Sequence, residues 1–157
     1  MKKIIALLMA LVVAVSFTSA VSGDEETITV TMTPSATANI SVNVSDISVT
    51  GLEKVETTSN VALNNTGNVS VNVTIGATDT TNWTLTDGDV SNAANEFNLT
   101  YDKEGSGDIA ITTGTSDFET YFAYSGTKLF DITVRTPKYT DSDADQVSTI
   151  TFTATAC

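Results

Sequence analysis

The chain has 157 residues, with 19 Asp and Glu against 7 Lys and Arg, one Cys and no His, for a formal charge of −12. That charge repels phosphates, so nucleic acid is excluded as a partner and docking on an anionic membrane surface is disfavoured. Without His there is no Ser-His-Asp or Cys-His catalysis and no His-ligated zinc; one Cys builds neither a thiolate cluster nor an internal disulfide.

The chain opens on Lys2 and Lys3, an apolar run Ile4–Phe17 of 14 residues, and the small residues Thr18-Ser19-Ala20. This is the pattern of a secretory signal peptide over residues 1–20, with a retained N-terminal anchor as the competing reading. The run is short of the ~20 residues that span a bilayer, and no second run follows, so no stable membrane span is expected after cleavage. The expected location is secreted, extracellular, at the cell surface. Removal of the leader leaves 157 − 20 = 137 residues, and five basic against nineteen acidic ones, or 5 − 19 = −14. That length suits one domain. The expected division is a leader over 1–20, an N-terminal strand segment over 21–34, and a β-domain over 35–157.

After the acidic Asp24-Glu25-Glu26, the residues Ile28, Val30 and Met32 alternate with Thr27, Thr29, Thr31 and Thr33, and Pro34 closes the strand. Ile40, Val42 and Val44 alternate with Asn39, Ser41, Asn43 and Ser45, and Ile47 and Val49 extend the pattern to Gly51. Residues 52–63 are less regular, with Val61 and Leu63 as inward candidates. Asn65–Ile75 reads NTGNVSVNVTI. A turn at Gly67 is followed by Val69, Val71, Val73 and Ile75 inward and Asn68, Ser70, Asn72 and Thr74 outward. Trp83 and Leu85 share a parity, Thr86–Asp89 is a turn, and Val90–Glu96 holds a brief helical turn. Phe97, Leu99 and Tyr101 mark a strand, and Ile109 and Ile111 another. Ser116-x-x-Glu119 has capping-box form and predicts a short helix over Asp117–Phe122. Phe130, Ile132 and Val134, then Ile150, Phe152 and Ala154, mark the last strands around the loop Lys138–Gln146.

Eight or nine short strands predict an all-β fold, a single antiparallel β-sandwich of Ig-like or jelly-roll type. Trp83, Phe97, Phe130 and Phe152 are its expected bulky core.

Several residue sets could carry chemistry. No Gly-rich loop opens a helix and no catalytic constellation is present, so the chain is expected to be non-catalytic and to need no cofactor. Asp141, Asp143 and Asp145 alternate as at the start of an EF-hand loop, which makes calcium the one metal to consider. The pattern then departs from an EF-hand, with Gln146 in the glycine position and Phe152 where the bidentate Glu belongs. N-x-[ST] occurs at Asn39, Asn43, Asn64, Asn68, Asn72, Asn82 and Asn98. Alternation turns each strand Asn away from its apolar neighbour, toward solvent, where a glycan fits. The alternative is chance occurrence in a chain rich in Asn, Ser and Thr. Cys157, the last residue, is a candidate for an intermolecular disulfide or an incidental tail thiol. Lys54, Lys103, Lys128 and Lys138 show no inward parity beside a buried acid, so no isopeptide cross-link is expected. Tyr121, Phe122, Tyr124 and Tyr139 are the aromatics available to bind surface glycans.

An N-terminal strand after a leader, a Thr-rich surface and the NTGNVSVNVTI strand together resemble secreted filament subunits, the archaeal bundling pili and the TasA/camelysin matrix-fibre proteins. The resemblance implies a jelly-roll or sandwich domain that assembles with copies of itself by strand donation. It makes Thr27–Thr33 the donor, with Ile28, Val30 and Met32 filling a neighbour's groove. The alternative is that this strand pairs within its own domain. The expected function is a subunit of an extracellular filament or matrix layer, with a carbohydrate- or surface-binding module, adhesin-like, as the other reading.

Overall fold

A computed structural model describes residues 31–32, 35–90 and 94–157. The chain divides into two units, Met1–Ser35 and Ala36–Cys157. In the first, the described residues Thr31, Met32 and Ser35 lie outside any strand, and Met32 is exposed. The expected leader over 1–20, together with Ile28 and Val30, falls outside the described residues.

The second unit is all-β, and no helix occurs among the described residues. Its strands among the described residues are nine: β1 (Ile40–Val42), β2 (Val55–Asn65), β3 (Val71–Ala77), β4 (Thr84–Leu85), β5 (Glu96–Asp102), β6 (Ile109–Ile111), β7 (Ser116–Phe122), β8 (Thr127–Arg135) and β9 (Ile150–Ala156). They form two sheets. The larger has the order β1-β2-β8-β5-β4 with β6 also on β5, and the smaller the order β7-β3-β9. Every ladder is antiparallel except β4 on β5, which is parallel, so the larger sheet is mixed rather than purely antiparallel.

Period-two patterning explains the core. Val61 and Leu63 of β2, Val71, Val73 and Ile75 of β3, Phe97, Leu99 and Tyr101 of β5, and Phe130 and Ile132 of β8 are all buried in one cluster. Phe118 of β7 is at its centre. Its ring lies 5.1 Å from Tyr101, 5.0 Å from Phe130 and 5.2 Å from Phe152, and so joins strands of both sheets. Trp83 and Phe152, expected in the bulky core, are only half-buried at its margin.

The helix expected over Asp117–Phe122 is instead strand β7, paired with β3. Two register shifts interrupt this ladder, and Tyr121 has a φ of 54°. The extra residues bury Phe118 and Phe122 while leaving Thr120 exposed. That i, i+4 spacing imitates a helical face, although bulges in a strand produce it. The side-chain oxygen of Asn72 accepts the Tyr121 N–H at 2.9 Å and holds the bulge. Of the helical turn expected over Val90–Glu96, residues 91–93 are not described, and Glu96 already belongs to β5.

Candidate functional site

The two ends of β9 differ in their neighbours. At one end Ala156 is opposite Val71, and the Cys157 N–H donates to the Ser70 carbonyl at 3.1 Å. The chain also enters the unit here, because Asn68 N–H bonds to Thr37 and Gly67 N–H to Asn39. At the other end Ile150 is opposite Ala77, and the Thr78 N–H donates to Thr149.

Among the described residues β9 pairs only with β3, through seven consecutive positions without a bulge. Its sequence, ITFTATA, contains no Lys, Pro, Gly or acid. Edge strands normally carry such guards, because their unpaired N–H and C=O groups template pairing with another chain. The other edges are less inviting. β1 and β6 have 3 residues and β4 has 2, while β7 carries bulges, Asp117 and Glu119.

An open groove of about 650 Å³, with an apolar floor and polar residues such as Ser45, Asp46 and Thr80 also in its lining, lies beside Ile150–Phe152 at one end of β9. Its floor includes Val61, Phe97, Leu99 and Ile132, and the half-buried Val134 extends it. One wall is the segment 40–49, presenting Ile40, Val42, Val44 and Ile47. The other wall is the continuous run 146–152. Both parities of β9 line the groove, Thr151 as well as Ile150 and Phe152, so the groove meets the strand edge-on.

Local hydrogen bonds fix these walls. β1 stops at Val42 because the Asn43 side chain takes over, accepting Ala62 N–H at 2.7 Å and donating to the Asn60 carbonyl at 3.4 Å. Trp83 is pinned at the groove by its indole N–H, which donates to Thr140 Oγ1 at 2.8 Å. Gln146 Oε1 accepts from Thr80 Oγ1 at 2.7 Å and from Asn82 N–H at 2.9 Å.

The inward row of β3 does not line this groove. Val71, Val73 and Ile75 are sealed in the core because they share the inward face of β3, while Asn72 on its other face is exposed. The accessible apolar surface is one strand away, beside β9. Of the expected self-assembly residues only Met32 is described, and it is 72% exposed.

Asn39, Asn43, Asn68, Asn72 and Asn82 are exposed, and Asn64 is half-buried. The outward placement expected of Asn98 is corrected: it is 4% exposed. Its Nδ2 donates to the Thr86 carbonyl at 2.9 Å, and its Oδ1 accepts from Arg135 at 3.4 Å. The 86–90 loop and the Arg135 side chain cover what alternation assigns to solvent. Asp141, Asp143 and Asp145 are exposed, and no three acidic or thiol side chains gather as a metal site among the described residues. Asp141 is instead tied to Asn95, accepting its Nδ2–H at 2.9 Å and donating its own N–H to Asn95 Oδ1 at 3.0 Å. Tyr121, Tyr124 and Tyr139 are exposed, whereas Phe122 belongs to the core. Cys157 is an exposed thiol.

The letters ITFTATA predict a strand without showing that it lies at a sheet edge. Its position at a sheet edge depends on long-range pairing that no local pattern encodes. No family model, curated protein or solved structure matches this chain.

Proposed function

We propose that this chain is an exported, non-catalytic structural protein of the cell surface, a subunit of an extracellular filament or matrix layer. In this reading the two sheets are the halves of a single β-sandwich, and copies associate by adding a strand to the free edge of β9. The observation that carries the reading is an unguarded seven-residue edge that has an apolar-floored groove at its Ile150–Phe152 end. A donated strand would satisfy the edge backbone and lay alternate side chains on the groove floor. Thr27–Thr33 has the matching length, seven residues or ~23 Å. Its Ile28, Val30 and Met32 would each contribute roughly 1.5–3 kcal/mol on burial.

Negative-stain microscopy of the chain from residue 21 onward tests the reading. Polymers that disappear when residues 21–33 are deleted support it. A folded monomer at every concentration, or polymers that survive the deletion, would exclude it.

One observation favours a second reading. Tyr121 near the end of β7 and Tyr124 just beyond it are 73% and 65% exposed, which leaves both rings available to stack on a sugar. Glycan-array binding lost in Tyr121→Ala and Tyr124→Ala would support a carbohydrate-binding module; no array signal would remove it.

A further inference from the structure

Strand β3 carries the sequon Asn72-Val73-Thr74, with Val73 in the core and Asn72 exposed on the outer face of the smaller sheet. On that face Asn72 has a neighbour on each side. Toward β9 it is opposite Thr155, a small exposed residue. Toward β7 it meets the bulge, where its Oδ1 accepts the Tyr121 N–H at 2.9 Å. A backbone N–H can only donate, so this bond fixes which end of the amide faces β7. The Tyr121 Cα is one bond beyond that nitrogen and lies within about 4.4 Å of Oδ1.

Tyr121 is an unusual residue for this place. Its φ of 54° is left-handed, a conformation that glycine adopts freely and a bulky side chain adopts only at a cost. Its ring is 73% exposed, so core packing does not offset that cost. A strained residue held in this way points to a use for its side chain. The neighbouring sequons are arranged differently. Both ends of the Asn43 amide are engaged, with Ala62 and Asn60, and Asn82 Nδ2 donates to Ser142 Oγ. Asn68 Oδ1 accepts the Thr37 N–H where the chain enters the fold. Of the sequons, only Asn72 has its amide oxygen on the backbone of an exposed aromatic residue.

We propose that Asn72 is an N-glycosylation site whose first sugar, a pyranose, packs on the ring of Tyr121; this rests on the export that the filament reading assumes. In the transfer, Asn72 Nδ2 bonds to the anomeric carbon of a lipid diphosphate-linked oligosaccharide. The bond from that carbon to the diphosphate oxygen breaks, and the lipid diphosphate leaves. The amide gives up one proton to the medium, and nothing is oxidised or reduced. The product is a planar secondary amide. As in a trans peptide, the anomeric carbon lies trans to Cβ, and so on the Oδ1 side, which faces β7 and Tyr121. Oδ1 keeps its bond to the Tyr121 N–H, because only the nitrogen is substituted. The C–H face of the sugar then meets the electron-rich face of the phenol ring. Together they cover the bulge that interrupts the β3–β7 ladder.

The test is secretion of the full chain from a eukaryotic host, with the same chain from a bacterial host lacking the transferase as the bare form. Each is made as parent, Tyr121→Gly and Tyr121→Phe. Site-resolved mass spectrometry reads occupancy, and thermal melts read the coupling. The expected result is an occupied Asn72, with Tyr121→Gly lowering Tm by about 2–6 °C in the glycosylated chain. In the bare chain the same variant is expected to leave Tm unchanged or raise it, because glycine there only relieves the backbone. Tyr121→Phe keeps the ring and is expected to match the parent in both forms. Sugars at other sites are common to parent and variant, so they cancel in the comparison. Secreted chain with Asn72 empty would overturn the proposal and leave the filament reading standing. An occupied Asn72 with equal Tyr121→Gly shifts in the two forms would do the same. Chain retained inside the secreting host without modification would overturn both.

Discussion

The side-chain amide of Asn65 donates to the main-chain carbonyl of Phe122 at 3.0 Å, across 57 residues of sequence. The same nitrogen reaches the carbonyls of Val69 at 2.9 Å and Ala123 at 3.1 Å, and Asn65 Oδ1 accepts Gly67 N–H at 3.0 Å. One buried side chain thus closes the β2–β3 turn and joins it to the β7–β8 turn, at the end where the chain enters the fold. Gly67 makes this closeness feasible, since a Cβ there would lie 2.2 Å from the Thr37 carbonyl oxygen.

Asn65→Ala would remove the amide donor shared by the Val69, Phe122 and Ala123 carbonyls, of which Ala123 keeps the Gly126 N–H. The expected cost is about 3 kcal/mol, near the top of the range for unsatisfied buried groups. Denaturant melts of Asn65→Ala and of the exposed control Asn39→Ala check this, with only the first expected to shift the midpoint.

Glycan occupancy should follow burial in the folded chain. In a glycosylating host the peptide carrying Asn98 is expected to stay unmodified, whatever happens at exposed Asn68 and Asn72. Site-resolved mass spectrometry reads this directly. Asn98→Ala is expected to destabilise by about 1–3 kcal/mol, through loss of the bond to Thr86 and of a partner for Arg135.

Much of this fold is legible because alternation is local. Val71, Val73 and Ile75, or Phe97, Leu99 and Tyr101, declare an inward face in five letters. Legibility fails where the backbone breaks the period. β2 runs for 11 residues, but Asn60 at φ 59° and a register shift between Thr58 and Val61 hide its first half. β7 conceals Phe118 by the same device. Asn98 and the β9 edge fail for another reason: what covers a face, or leaves an edge bare, is set by residues far away in sequence.

Stability at high pH should depend on Tyr101. Burial first, and the nearby Glu119 carboxylate second, push its phenol above the ordinary value of 10.0. The folded state therefore holds the proton more tightly than the unfolded chain. The associated stability is fully present below pH 10 and is lost as pH rises through the folded pKa. Denaturant midpoints for the parent chain are expected to fall above pH 10, and Tyr101→Phe is expected to flatten that fall.

Strand addition on β9 is tested most directly by hydrogen exchange at Ile150–Ala156. Assembled chain is compared with a dissociated reference carrying Val30→Asp. Backbone N–H groups bonded to β3 should be protected in both samples. Those facing the groove should exchange quickly in the reference and become protected on assembly, in an alternating pattern along the strand. Fast exchange at the groove-facing amides in both samples would contradict the account.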